Sequence, residues 1–599
     1  MSQRLGSILN KIINFDLQKP KRSGILDTSK LLPASIKKIG GTFWGFVNES
    51  GDFVIEPQYD YVFDFQENGL ARVEKNGLYG LIDLQGNYIV QPRYRWIEPF
   101  SEGRAAVQTV NEKLPSYKLI DETGKGITKK YYNFIGSFYD GRAVFQQDHL
   151  YGYLTRNGRE VIPPIYTSAE HFSDGKAIVK LSDNYYYLLD VNGKTLQKYP
   201  YPYIGKLSEG LIVFSEQEWF DDERKIGYMN EAGKVVIKPQ YKYANEFMNG
   251  RAVIGMSDNF RQNSDEGVID PKGKIIIQPK YNDVKLLGED RIAVGKASNE
   301  ENPYYGSVYA LATTKGNFLT DFVFDNIEVF KDGKASATIK GNTFFIDLVG
   351  KRLKNLPTVE GSGTLALEDN IITANMDHRV YYYHENGSVI YQQHKIIPIN
   401  EQIQIIEEKY KPNVNFFVYY PRIVGIQNKQ VQKKTNQELK RLSNLQKISP
   451  NEALSYVYEG DFIIESLIKD LLTMQFTGYE YHFGAAHGTG IQNFVTLNVK
   501  NGEFYELQEL FKPQSDFITK LSDMIKEQML KEPEKYFSID LYKGIKPNQN
   551  FTVTEDTLTI YFDSGEIAAY AVGFPKFTIP FSEIMELINE EGELWQALH

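Results

Sequence analysis

The stretch Tyr79–Val107, YGLIDLQGNYIVQPRYRWIEPFSEGRAAV, decides the fold of the first half of this 599-residue chain. It reads as a strand over Tyr79–Leu84, a turn at Gln85-Gly86, and a second strand over Tyr88–Val90. Pro92 has no N–H to give a ladder, so it ends that second strand or confines it to a sheet edge. An aromatic spacer and Ser101-Glu102-Gly103 then lead into a third strand over Arg104–Gln108.

The phrase recurs. First strands at Phe43–Val47 (FWGFV), Tyr79–Asp83, Tyr117–Asp121, Tyr151–Thr155, Tyr186–Asp190, Ile226–Asn230, Glu266–Asp270 and Tyr305–Tyr309 mark eight units. Their period is roughly 34–40 residues, the range of repeat architectures. A glycine follows each first strand, from Gly51 and Gly86 to Gly273 and Gly316, where a tight hairpin loop needs positive φ. Pro57, Pro92, Pro163, Pro239 and Pro279 mark the second strands, each followed closely by a tyrosine that packs back on its unit. Third strands open on phrases such as SEGRAAV, YDGRAVF and MNGRAVI. Two degenerate units, Thr343–Leu356 and Arg379–Ile390, are expected to cap the array.

A three-stranded unit of this size cannot bury its face alone, so neighbours must stack. A solenoid-like superhelix and a propeller-like ring both satisfy that requirement. The insertions Gln217–Arg224 and Asn259–Asp265, both after third strands, fall on one side of such an array and form a candidate binding rim. These units resemble WG repeats, a bacterial β-repeat family named for the Trp-Gly pair that stands here as Trp44-Gly45. The resemblance implies an interaction or ligand-binding scaffold without a catalytic apparatus of its own.

Composition agrees with a mainly β chain: 41 tyrosines and 36 phenylalanines accompany 42% hydrophobic and 24% charged residues. A formal charge of −10 lacks the basic field that neutralises phosphates, so no nucleic-acid partner is expected. The absence of cysteine excludes disulfides, thiolate metal sites and cysteine nucleophiles. Leu5, Ile8, Leu9, Ile12 and Ile13 give residues 1–22 a short helical spacing, read as a docked or capping helix rather than a signal peptide. No window approaches the ~18 apolar residues of a spanning helix, so no transmembrane segment is expected. The N-terminus reads as cytoplasmic.

From Ile396 the period disappears. Asn428–Leu445 places Val431, Leu439, Leu442 and Leu445 on one helical face. Phe517, Leu521, Met524, Ile525 and Leu530 form a second amphipathic helix behind a Ser515 cap. Strands are expected at Phe416–Tyr420, Phe462–Phe476, Gln492–Val499 and Thr557–Phe562, giving an α+β domain with helices packed on an antiparallel sheet. The domains are thus 1–39 (helix and linker), 40–395 (repeat array) and 396–599.

Three phrases in the last domain carry a second resemblance: MQFTGYEYHFGAAHGTG (Met474–Gly490), VTLNVKNGEFYELQELF (Val495–Phe511) and the run Asn550–Ile584. They are similar to the extracytoplasmic domain of RsiV-type anti-sigma factors, which in turn resembles domains preceding peptidoglycan deacetylase modules. The resemblance implies a recognition module rather than a catalytic unit, for a protein or cell-wall glycan. It also gives an extracytoplasmic or cell-surface location as the alternative to the cytoplasm.

Within that domain His487, Glu566 and Tyr570 are the candidate ligand-binding residues: an imidazole, an acid and a phenol in two small-residue loops. His482 and His487 lack a third metal ligand nearby, so no metal is assigned, and neither a cofactor nor a catalytic residue is. P-loop, HExxH and GxSxG motifs are absent. The favoured function is a non-enzymatic binding protein. A carbohydrate-active enzyme with its site in the last domain, and a self-assembling scaffold, are the alternatives.

Overall fold

The computed structural model describes residues 30–110, 116–218, 220–257, 264–450 and 452–599. The helix expected within residues 1–22, and most of the 259–265 insertion, lie outside the described residues. The chain divides into two compact units: residues 30–35 with 44–392, and residues 36–43 with 393–599.

In the first unit, sequence repeat and structural sheet are out of phase. Tyr61–Val62, Ala71–Lys75, Leu78–Ile82 and Tyr88–Tyr94 form one four-stranded antiparallel sheet, paired in that order. Each sheet therefore takes its first two strands from the end of one sequence unit and its last two from the start of the next. Seven of the ten small sheets in this region have four strands rather than the three read from the repeat. The extra strand is the spacer, which pairs at one edge through two residues in four of these sheets and six in the other three. The proline phrase forms the opposite edge strand, where Pro92 costs no ladder bond.

The glycine of the Trp-Gly or Tyr-Gly pair has a steric cause. A Cβ on Gly80 would stand 2.6 Å from the Val90 carbonyl oxygen and 2.8 Å from the Pro92 nitrogen. The same clash arises at Gly45 (2.2 Å from Ile55 O), Gly152 (2.5 Å from Ile162 O), Gly227 (2.4 Å from Ile237 O) and Gly267 (2.5 Å from Ile277 O). Pairing slips register at each of these glycines, so the proline strand bulges directly over them.

Cores form between sheets, not within them. Ala106 and Leu119 of the third sheet pack with Ile135, Phe138, Ala143 and Phe145 of the fourth. The pattern continues sheet by sheet, and Leu32, Ala34 and Val47 of the first sheet pack with Ile371, Tyr382, Ile390 and Tyr391 of the tenth. Tyr382 Oη donates to Pro33 O (2.9 Å) and Tyr391 Oη to Ser35 O (2.7 Å), and Lys30 Nζ lies 3.3 Å from both Glu368 and Asp369. The array therefore closes on itself as a propeller-like ring. The two degenerate units supply its ninth and tenth sheets and seal it instead of presenting a free outer face.

A second repeated contact explains Gly-Arg-Ala. The arginine reaches the turn of the next sheet: Arg104 Nε donates to Arg156 O (2.7 Å), Arg142 to Val191 O (2.8 Å), Arg251 to Thr314 O (2.6 Å) and Arg291 to Leu348 O (2.5 Å). The acid beside the glycine, before it at Glu102, Asp140 and Glu209 and after it at Glu289, accepts backbone N–H bonds from the equivalent turn of the next sheet. Glu102 accepts from Gly141 (3.1 Å), Asp140 from Gly175 (2.8 Å), Glu209 from Asn249 (2.6 Å) and Glu289 from Gly333 (2.9 Å). These bonds stitch consecutive sheets around the ring.

The second unit is α+β. Its main sheet has seven strands in sequence order, from Ile396–Pro398 to Phe504–Tyr505. One pair, Phe416–Val424 with Tyr456–Ile468, is parallel, because the helix Lys429–Leu442 returns the chain across the sheet before the next strand begins. Asn428 caps that helix, its side chain accepting from Gln430 N and Val431 N. The apolar run read as one strand over Phe462–Phe476 is a hairpin of two long strands, Tyr456–Ile468 and Leu471–His482, turning at Lys469, which adopts φ 50°. No glycine or proline signals that turn, so the pattern alone runs through it. A smaller sheet, Phe551–Val553, Thr557–Tyr561 and Lys576–Pro580, shares a core with the helix Phe517–Met529 through Leu521, Ile525 and Met529. Asp516 rather than Ser515 occupies the position before that helix.

Lys37, in the segment 36–43 that belongs to this unit, is 3% exposed and lies 2.7 Å from Glu407 and 2.5 Å from Asp461. Its ammonium also stands 4.1 Å from the centre of the Phe462 ring.

Candidate functional site

His487 lies in the connection between Leu471–His482 and Thr489–Asn498, while Glu566 and Tyr570 lie in the connection between Thr557–Tyr561 and Lys576–Pro580. Two contacts between the sheets bring these connections together. Phe494 stacks on Tyr561 with ring centres 4.1 Å apart, and Asn550 bridges strands by accepting from Phe494 N and donating to Gln492 O, both at 3.3 Å.

The result places the His487 and Tyr570 rings 5.2 Å apart, tilted by 53°. The small residues around them are dictated by these rings. A Cβ on Gly565 would stand 2.8 Å from the Tyr570 ring, and one on Gly488 would stand 2.4 Å from the ring of Tyr479. Tyr479 Oη accepts from Gly488 N at 3.2 Å, and His487 Nδ1 lies 3.2 Å from Gly488 O, which fixes that nitrogen as the donor. Gly490 leaves space for Phe574, whose Cζ lies 3.3 Å from where its Cβ would be.

Glu566 is held by other partners. Its carboxylate takes the Lys546 ammonium at 3.1 Å and the Asp563 N–H at 3.0 Å. Burial, followed by the negative charge of Glu566, raises the neighbouring Asp563 carboxyl above its ordinary range. His487 and Tyr570 therefore share one surface, with Glu566 at its margin in an ion pair with Lys546.

That surface is open and apolar: Tyr570 is 54% exposed, Val572 43% and Tyr479 37%. Tyr479 and Phe574 escaped sequence reading. Tyr479 is an outward-facing position of a long strand, a period-two signal hidden while the strand limits are misread. His482 is separate from this surface, bonded to Glu480 at 2.9 Å and tilted on Tyr456. Among the described residues no three His, Asp or Glu side chains are grouped to hold a metal ion. No helix among them is long and apolar enough to cross a membrane.

Known proteins match each unit separately. The profile of the WG containing repeat matches residues 44–79, 79–113, 119–150, 151–186, 226–259, 267–297 and 309–342. A profile described as a protein of unknown function, DUF3298, matches residues 508–582, which take in Glu566 and Tyr570. The anti-sigma-V factor RsiV of Bacillus subtilis is 29% identical over 213 residues, 33% of this chain and 73% of that protein. The peptidoglycan-N-acetylmuramic acid deacetylase PdaC of the same organism is 26% identical over 137 residues, 22% of this chain and 29% of the deacetylase. The chain thus spans less than a third of that relative's length. A DUF3298-family structure from Bacteroides fragilis aligns over 33% of this chain and 96% of its own at 16% identity, with a TM-score of 0.24. The chain thus matches the WG containing repeat at seven places between residues 44 and 342 and the DUF3298 profile over residues 508–582, and it is similar over 213 residues to the anti-sigma-V factor RsiV.

Proposed function

We propose that the protein is a non-enzymatic binding or regulatory protein, joining a repeat scaffold to a recognition domain that docks a protein partner on the surface around His487 and Tyr570. One observation carries this reading: two side chains far apart in sequence meet at 5.2 Å on a surface whose neighbouring large residues, Tyr479 and Val572, are also substantially exposed. Contiguous exposed aromatic and aliphatic groups of this kind characterise interaction sites, and tyrosine is a frequent anchor in them. The ion pair with Lys546 that occupies the Glu566 carboxylate supports binding over acid–base chemistry there.

The match to the deacetylase favours a cell-wall glycan as a second ligand class. Such a ligand requires a location outside the membrane, which fractionation of native cells would decide. The binding reading is tested with the immobilised full chain, exposed in parallel to native lysate and to purified peptidoglycan. The double variant His487→Ala, Tyr570→Ala is expected to lose at least about tenfold in affinity for whatever the parent retains, the scale of a lost anchor. An unchanged affinity would remove this surface as the site.

A further inference from the structure

The ring departs from its repeat between its fifth and sixth sheets. The last strand of the fifth, Thr195–Tyr199, stops ahead of Pro200 instead of carrying a proline within it, and Leu211 stands where other units have Arg142, Arg251 and Arg291. The sixth sheet also carries the Gln217–Arg224 insertion between Leu211–Ser215 and Ile226–Asn230. At this break lies an open cleft of about 280 Å³, placed between Ser168, Tyr186 and Glu170 on one side and Tyr203, Lys206 and Glu246 on the other. Its floor carries the buried Ile178 and Ile204, which share the core between the two sheets.

The charges in the cleft oppose one another. Lys206 Nζ stands 3.9 Å from Glu170 Oε2. Burial raises the Tyr203 phenol, Glu246 and Tyr186 raise it further, and Arg224 of the insertion pulls it down, so the insertion's charge is felt at this phenol. A polyanion entering here meets two carboxylates, and a polycation meets Lys206. A hydroxyl group suits both signs, because it donates to a carboxylate and accepts from an ammonium or phenol. An apolar floor between two tyrosines suits a ring with C–H faces, and the volume lies at the small end of ligand sites.

We propose that this cleft binds one neutral sugar residue, free or at the end of a glycan, with Glu170, Glu246 and Lys206 on its hydroxyls and Tyr186 and Tyr203 against its ring. The site is independent of the His487 surface. The test uses the full chain and titrates glucose, galactose and N-acetylglucosamine by saturation-transfer NMR, with lysine and inorganic phosphate as charged controls. At least one sugar is expected to bind saturably in the millimolar range, Glu246→Gln and Tyr203→Phe each weakening it at least about fivefold while His487→Ala leaves it unchanged. Glu246 is exposed, so its variant keeps the fold, and an unshifted thermal midpoint verifies this. The proposal is overturned if no sugar saturates, if lysine or phosphate binds more tightly than every sugar, or if both cleft variants bind like the parent.

Discussion

In the ring, Ala143 and Phe145 find their core only against the preceding sheet, and the same holds at every boundary around to Leu32 and Tyr382. In the C-terminal unit, Leu521 and Ile525 of a single helix share one large core with Leu558, Ile579, Phe581 and Trp595. The ring spreads its stability over many equivalent small contacts. The C-terminal unit concentrates it in a few contacts that occur once, Lys37 among them. The difference teaches where a substitution is felt: a repeated contact fails locally and additively, while a unique one carries an element's whole attachment.

The sharpest test is Lys37→Met. It leaves Glu407, 9% exposed, and Asp461 without their cation, and breaking a buried pair from one side costs about 3–5 kcal/mol. Denaturant titration followed by probes in each unit should show the C-terminal transition shifted; an equal shift in the ring transition would break the distinction between the units. A middle-sized effect is expected at the repeat glycines. Gly152→Ala drives a Cβ to within 2.5 Å of the Ile162 carbonyl and should cost about 2–3 kcal/mol by overpacking. Gly141→Ala meets nothing within 4 Å and loses only the ease of φ 75°, about 1 kcal/mol. Combining Gly152→Ala with Gly267→Ala, in separate sheets, should add within about 0.5 kcal/mol; strong non-additivity would show that the ring does not behave as a sum of repeats.

The smallest effect is a pH dependence of the repeat turns. The Asp121 carboxyl is held below its ordinary value of 3.8, first by the Thr123 hydroxyl and then, against the opposing effect of burial, by the N–H groups of Lys125 and Thr123. Because its folded value is depressed, its contribution is fully present above pH 3.8 and disappears as pH falls through the lower folded value. Asp121→Asn should flatten the acid limb of the ring's stability profile slightly. A profile identical to the parent's would assign that limb to other carboxylates.

Local signals carried the ring far. Eight first strands and two degenerate ones correspond to its ten sheets, and the prolines lie on edge strands, because turns and strand edges are decided by nearby residues. The arginine of Gly-Arg-Ala recurs plainly in the sequence, yet its purpose is invisible there, since the carbonyl it seeks belongs to the next sheet. In the C-terminal unit the hairpin at Lys469 went unread for lack of a turn residue. The meeting of His487 with Tyr570 depends on Phe494 stacking against Tyr561, a contact between two sheets that no spacing encodes. Glu566 looks equivalent to its neighbours in a small-residue loop, and only the tertiary structure pairs it with Lys546.

The sequence by itself determined the repeat, the strands and turns within it, the change of texture near residue 396, and the lack of cysteine. Each of these follows from residues within a few positions of one another. Tertiary structure decided that strands pair across repeat boundaries, that the array closes on itself, that Lys37 is buried between two acids, and which loops share a surface. Those outcomes rest on burying apolar faces and pairing charges between residues distant in sequence. That free energy is gained only when the segments meet, so no single segment records it.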